Sequence, residues 1–327
     1  MAALVSSSPT TLRLSAAEWQ ARATEHEDRA DALTAGHRER KLRGEKHPIE
    51  DFLWHYYSVK PRELRRWHPG AGVVLEGADR GSWRHYMTVA TAPNRSGSDP
   101  TDNSVTTSAD SLDTNLRTDS FVDLSEFFAT RGGTVDYVEN LLSATLERTP
   151  RYGCFGLHEW AMVYRMTPEQ LRHSALPLRI GHEATDLVVE QHPIACTHFD
   201  AFRFFTPEAA PLNTLQPTRE TQPELEQSGC LHAGMDVYKW ASKLGPIVPG
   251  EVLLDTFELA RDIRVVDMQA SPYDVSSLGL AVIPIETPEG KREYSRLQRG
   301  FAERGNGLRE RVLEAIAAAR ALEGSQI

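Results

Sequence analysis

Apolar and polar positions alternate with different periods along the chain, and the changes of period mark its elements. Ser15-Ala-Ala-Glu18 opens a run rich in Ala, Glu, Gln, Arg and Leu. A Ser followed three residues later by Glu is a capping-box spacing, so a long helix is expected over 15–46. Pro48 suits the first turn of a second helix over 48–57, and Pro61 that of a third over 61–67, ended by His68-Pro69-Gly70. The β-branched and aromatic content of 73–76 and 83–90 predicts two strands joined by the turn Gly77-Ala-Asp-Arg-Gly81. Residues 91–120 are rich in Ser, Thr, Asp, Asn and Gly and hold almost no large apolar side chain, which predicts a mobile insertion. Helical periodicity resumes over 121–148, with an interruption expected at Gly132-Gly133. Strands are expected over 187–190 and 196–205, and helices over 233–244, 250–263 and 287–322. Thr287 is the N-cap of the last, with Pro288 in its first position. The expected fold is α+β, mostly helical with a small antiparallel or mixed sheet. Residues 1–14 are expected to be a flexible N-terminus and 15–327 one globular domain.

Composition narrows the class. The chain has 327 residues, 40% hydrophobic and 25% charged, which suits a folded globular protein and not a disordered one. The net charge of -10 excludes a protein that coats nucleic acid by bulk charge, though not one with a local basic face. No apolar run is long enough to span a bilayer, and the first residues lack a secretory pattern. Three scattered cysteines make no disulfide framework. The expected setting is the reducing cytoplasm, with no membrane partner.

Histidines follow closely behind every cysteine: Cys154 with His158, Cys196 with His198, Cys230 with His232. Thiolate and imidazole are ligands that zinc and iron favour, so Cys196, His198, Cys230 and His232 form a candidate metal set. Buried thiols beside hydrogen-bonded imidazoles are the alternative. If a helix begins near His232, then His232, Asp236 and Lys239 share one face at i, i+4 and i+7. An Asp beside a Lys or His is an acid–base arrangement, and Tyr238 adjoins it. A surface Asp–Lys pair explains the same spacing. His47, Asp51 and His55 repeat every four residues, as a metal stripe or as an Asp orienting a His beneath aromatic packing. In a strand, Asp200 and Arg203 lie on opposite faces; an apolar strand bearing both charges must pair them or turn one toward substrate. Asp274 and Glu286 are further carboxylates that turn and cap roles explain equally well. No Walker A, GxGxxG, GxSxG, HExxH, kinase or PCxxC motif is present.

Charge is uneven along the chain. Residues 38–66 hold nine Lys and Arg against five Asp and Glu, a local net of +4, so the remainder carries -14. Basic side chains interleaved with Trp54, Tyr56, Tyr57 and Trp67 suit a phosphate backbone and a stacked base, or a solvated helix face.

The blocks His47-Pro-Ile-Glu-Asp-Phe-Leu, Trp67-His-Pro-Gly, Cys196-Thr-His-Phe-Asp-Ala-Phe-Arg-Phe-Phe, Gly229-Cys-Leu-His-Ala-Gly-Met-Asp-Val-Tyr-Lys-Trp-Ala and Asp267-Met-Gln-Ala-Ser-Pro-Tyr-Asp resemble those of a bacterial family, common in actinobacteria, labelled 3-methyladenine DNA glycosylase. The resemblance covers nearly the whole chain outside 91–120. The chain lacks the hairpin and Asp of the helix-hairpin-helix glycosylases. It shares with the type I enzymes only His158-Glu159-Trp160 and a closely spaced Cys/His pair. The resemblance implies release of an alkylated base from DNA, in a pocket with aromatic walls and one carboxylate. Asp236 or Asp200 would supply that carboxylate, with His232 and Lys239 beside it. Trp54, Tyr57, Arg203 and Tyr238 would meet the substrate. The other reading is a zinc or iron enzyme that acts on a small molecule through Cys, His and Asp.

Overall fold

The computed structural model describes residues 11–91, 117–171 and 175–323. Strand β1 (Leu12–Leu14) precedes the long helix α1 (Ala16–Leu42). Ser15 caps α1 as its spacing predicts: its hydroxyl accepts the Glu18 N–H at 3.4 Å and Glu18 accepts the Ser15 N–H at 2.9 Å. Two short helices follow, α2 (Phe52–Tyr56) and α3 (Pro61–Leu64), then β2 (Val73–Glu76), β3 (Tyr86–Thr91) and β4 (Arg117–Val122). The rest is helical: α4 (Leu124–Glu147), α5 (Leu157–Ala161), α6 (His182–Gln191), α7 (Phe199–Phe202), α8 (Gln222–Leu225), α9 (Leu231–Leu244), α10 (Gly250–Ala270) and α11 (Pro288–Leu322). The fold is α+β with one small mixed sheet of order β1-β2-β4-β3.

Several expectations are corrected. Strands β2 and β3 are not a hairpin. β4 lies between them, pairing Leu75 with Ser120 and Tyr86 with Val122. Residues Leu12–Leu14 pair in parallel with β2, so order begins before the Ser15 boundary; residues 1–10 lie outside the described residues. The expected insertion at 91–120 is trimmed at both ends by strand pairing of Thr91 with Arg117, and 92–116 lie outside the described residues. Helix α4 runs through Gly132-Gly133 without a break, started by Asp123, which accepts the Glu126 N–H at 3.0 Å. The segment 187–190 is the end of α6, because its buried positions Thr185, Val188 and Val189 follow a helical period. The strand expected over 196–205 is replaced by α7. His198 takes the N-cap position there and accepts the Ala201 N–H on Nδ1 at 3.2 Å.

The core is centred on α9. Nearly every side chain of α9 is buried; it packs against α10 and α11, and α4 closes over α11 and α9. Burying a helix on all sides leaves its polar residues no solvent, so each needs a protein partner or a cavity.

Candidate active site

Helix α9 places His232, Asp236 and Lys239 along one face, as their spacing predicts. Asp236 is buried, and a buried carboxylate is costly unless it is paired. Tyr57 Oη donates to its Oδ1 at 3.0 Å and Lys239 Nζ donates to Oδ2 at 2.9 Å. His198 Nε2 lies 3.3 Å from the same Oδ2. Since His198 Nδ1 accepts a backbone N–H, its proton sits on Nε2 and is donated to Asp236. Burial opposes the charge on Asp236, yet Lys239 and His198 outweigh it and hold the carboxyl far below its usual range. Glu226, 3.6 Å behind His198, is pushed up instead, chiefly by burial; Gln222 Nε2 donates to it at 2.6 Å.

Lys239 also reaches Asp200, whose Oδ2 accepts from Nζ at 2.5 Å. Asp200 Oδ1 lies 3.2 Å from Arg203 Nε and 3.4 Å from Arg219 Nη2. Burial works to raise the Asp200 pKa, but Lys239 dominates and keeps it ionised. The α-helical turn of α7 brings Asp200 and Arg203 together at i,i+3, so the opposite-face arrangement expected of a strand does not arise.

A cavity of about 200 Å³ opens beside this network. Phe52, Tyr56, Phe204, Tyr273, Met162 and Met166 form its apolar wall. Asp200, Glu159, His232 and Arg264 supply the polar groups. His232 and Tyr56 each carry a buried polar atom, Nδ1 and Oη, with no hydrogen-bond partner among the described residues. Burial, with His158 and His198 nearby, keeps His232 neutral. Buried polar atoms left unpaired at a cavity wall are the places where a ligand can bond.

Behind His232 lies a second cluster. His158 packs edge-on against the His232 ring, centroids 4.4 Å apart. Its Nε2 is 2.9 Å from Asp267 Oδ1. Arg264 Nη1 donates to Glu159 Oε1 at 3.0 Å and to Asp267 Oδ2 at 2.9 Å, and its guanidinium lies 4.1 Å from the Phe52 ring centre. Burial lowers the His158 pKa, but Asp267 more than compensates and raises it overall.

The sequence-derived site residues therefore divide. Asp200 and His232 reach the cavity wall, while Asp236, His198 and Lys239 stand behind it as one hydrogen-bonded unit. Tyr57 and Tyr238 are buried edge-to-face, 5.3 Å apart, away from the cavity lining; Tyr57 is a bonding partner of Asp236, not a stacking surface. Trp54 stacks on His37 and packs against Phe257. Arg203 belongs to the Asp200 cluster. The neighbouring rings Phe52 and Tyr56 take the wall position that Trp54 and Tyr57 were expected to fill.

The metal expectation changes as well. Among the described residues the ligand group with all donors within 4.8 Å is His158, Glu159, His232 and Asp267; of the expected quartet only His232 belongs to it. Cys196 Sγ instead bonds the His198 carbonyl at 3.7 Å, and burial pushes its pKa up to about 12, so it is a thiol, as is Cys230. The three cysteines and His158 line a separate cavity of about 210 Å³. His47 and His55 do not converge on the Asp51 carboxylate. That group takes the His47 backbone N–H at 2.8 Å and His37 at 2.9 Å. Glu159, Arg264 and Asp267 were not legible as a set, though an Arg and an Asp three apart in an otherwise apolar stretch of α10 is a signal of a buried ion pair. No protein-family model matches the chain, and neither a curated protein nor a solved structure matches it.

Proposed function

We propose that the protein is a hydrolase that seats a planar base in the aromatic cavity and cleaves the N-glycosidic bond joining it to a sugar, releasing alkylated bases such as 3-methyladenine from DNA. The observation that carries this reading is the cavity itself: an aromatic and methionine wall, the ionised Asp200 at its edge, and two unpaired polar atoms, His232 Nδ1 and Tyr56 Oη, able to bond a base. An N3-alkylated adenine is cationic, so it leaves neutral, taking the electron pair of the bond to the sugar. Water then adds to the electron-poor sugar carbon and releases its proton to solvent. Asp200, held by Lys239, Arg203 and Arg219, orients that water and faces the developing positive charge. The Tyr57–Asp236–His198 unit fixes Lys239 and, through it, Asp200.

Within the 38–66 segment several arginines are already neutralised: Arg38 by Asp31, Arg40 by Glu50, Arg43 by Glu45, Arg65 by Asp31 and Glu27. Contacts to a DNA backbone in this reading fall to Lys41, Lys46, Lys60, Arg62 and Arg66, which form no ion pair among the described residues. The test is chromatographic measurement of free base after incubation with methylated duplex DNA. Release by the wild-type protein, reduced about 100-fold or more in Asp200→Asn, is the expected result. A folded protein that frees no base and does not bind an abasic-site duplex overturns the reading.

The second reading, a zinc or iron enzyme acting on a small molecule, draws on the His158, Glu159, His232 and Asp267 donors. Their types suit either ion, and His232 Nδ1 is unpartnered. Arg264, however, bonds both carboxylates, and Asp267 is also bonded by His158, whose pKa it raises. A resident dication would have to displace that guanidinium, so the cluster does not fit one as it stands. Stoichiometric zinc or iron in the purified protein, lost in His232→Ala, would reverse this ranking.

A further inference from the structure

We infer that a second cleft, between α3, the turn before β3, α4 and the end of α9, is a binding site for a phosphoryl group. Its volume is about 310 Å³, and Arg66, Arg84, Arg131 and Lys243 line it. Glu63 is the one carboxylate among its lining residues, and it accepts the Lys60 N–H at 2.9 Å. None of the four cations has a carboxylate in ion-pair range among the described residues. What sets the four apart is that they gather around one cleft, whereas arginines such as Arg29 and Arg320 each bridge two acids. Four like charges around one cleft repel one another, and a multiply charged anion removes the repulsion.

The cleft is also pre-organised. Arg131 Nη2 donates to the Lys243 carbonyl at 2.7 Å, which ties α4 to the end of α9 and leaves the rest of the guanidinium without a hydrogen bond among the described residues. Arg66 lies 5.6 Å over the Trp83 ring, and Arg80 packs 4.4 Å over the same indole. His68 is fixed at the cleft wall: its Nδ1 lies 3.0 Å from Tyr86 Oη, which also accepts from Arg80 Nη1 at 3.3 Å. Burial and the nearby Arg80 hold its pKa down to about 3, so it stays neutral. Guanidinium forks and an ammonium match a phosphate with several oxygens better than a single carboxylate. The inference does not depend on the glycosidic reaction.

Inorganic pyrophosphate is the probe, titrated calorimetrically into the full-length protein at low ionic strength. One-to-one binding is expected, weakening as salt rises. The double variant Arg84→Gln/Lys243→Gln changes only exposed side chains and should weaken binding about 10-fold or more, the scale of one charge-assisted hydrogen bond. The control Arg22→Gln/Arg299→Gln, two exposed cations elsewhere on the surface, should leave it unchanged. Displacement of pyrophosphate by a short DNA duplex would assign the group to a nucleic-acid backbone, and resistance to displacement to a free phosphate ester. Absence of binding, or equal binding by wild type and the Arg84/Lys243 variant, overturns the inference.

Discussion

Lys239 is the side chain on which two carboxylates depend. Its ammonium bonds Asp200 at 2.5 Å and Asp236 at 2.9 Å, and Asp236's other hydrogen-bond partners among the described residues are Tyr57 and His198. Lys239→Met should therefore cost about 3–5 kcal/mol, the penalty for leaving a buried charge unpaired, and adding Asp236→Asn should restore part of it. Urea unfolding at neutral pH measures both. The His158–Asp267 pair makes a prediction of definite sign. The folded-state pKa of His158 lies above its unfolded value of about 6.5, so its stabilisation is complete below that pH and is lost as pH rises through the folded value. The stability gap between wild type and His158→Gln should narrow as pH rises above about 6.5. A gap that widens over that range would mean His158 is neutral in the folded state. Asp236 and Lys239 were visible as a pair in the sequence because three residues of helix bring them together; Tyr57 and His198 were not visible as their partners.

At the scale of elements, the long helices follow from local signals. Ser15, Asp123 and Thr287 each cap the helix that follows, and Thr287 accepts the Gly290 N–H at 3.1 Å. The same turn carries a close approach: a Cβ at Gly290 would lie 2.0 Å from the Pro284 carbonyl oxygen. Gly290→Ala should force the first turn of α11 off the 284–285 backbone and destabilise by at least about 1–3 kcal/mol, read as a lowered melting temperature. The short elements are where the period misleads. Four residues such as 187–190 do not separate a strand from one turn of helix, and the apolar run 196–205 has the composition of a buried strand. The cap formed by His198 and the pairing of Asp200 with Lys239 and Arg203 select the helical turn instead.

For the whole molecule, the basic segment shows how linear charge counts can mislead. Residues 38–66 sum to a positive net, yet several of their arginines are bonded to acids within or beside the segment. If DNA is the substrate, neutralising Lys41, Lys46 and Lys60 should lower affinity and make its salt dependence shallower by about one unit of slope per contact, whereas neutralising Arg43, paired with Glu45, should leave both unchanged. Fluorescence anisotropy over a salt series separates these outcomes. Among the described residues no helix is long and apolar enough to cross a membrane. Amino-acid order alone determined the long helices, their caps, the mixed α+β class and the shared face of His232, Asp236 and Lys239, because these rest on hydrogen bonds and periodicities a few residues long. Tertiary structure alone decided that Tyr57 meets Asp236 across 179 residues, that His158 meets Asp267 across 109, and that Phe52 and Tyr56, not Trp54 and Tyr57, wall the cavity. Such meetings depend on how whole helices pack around α9, and no short spacing encodes that.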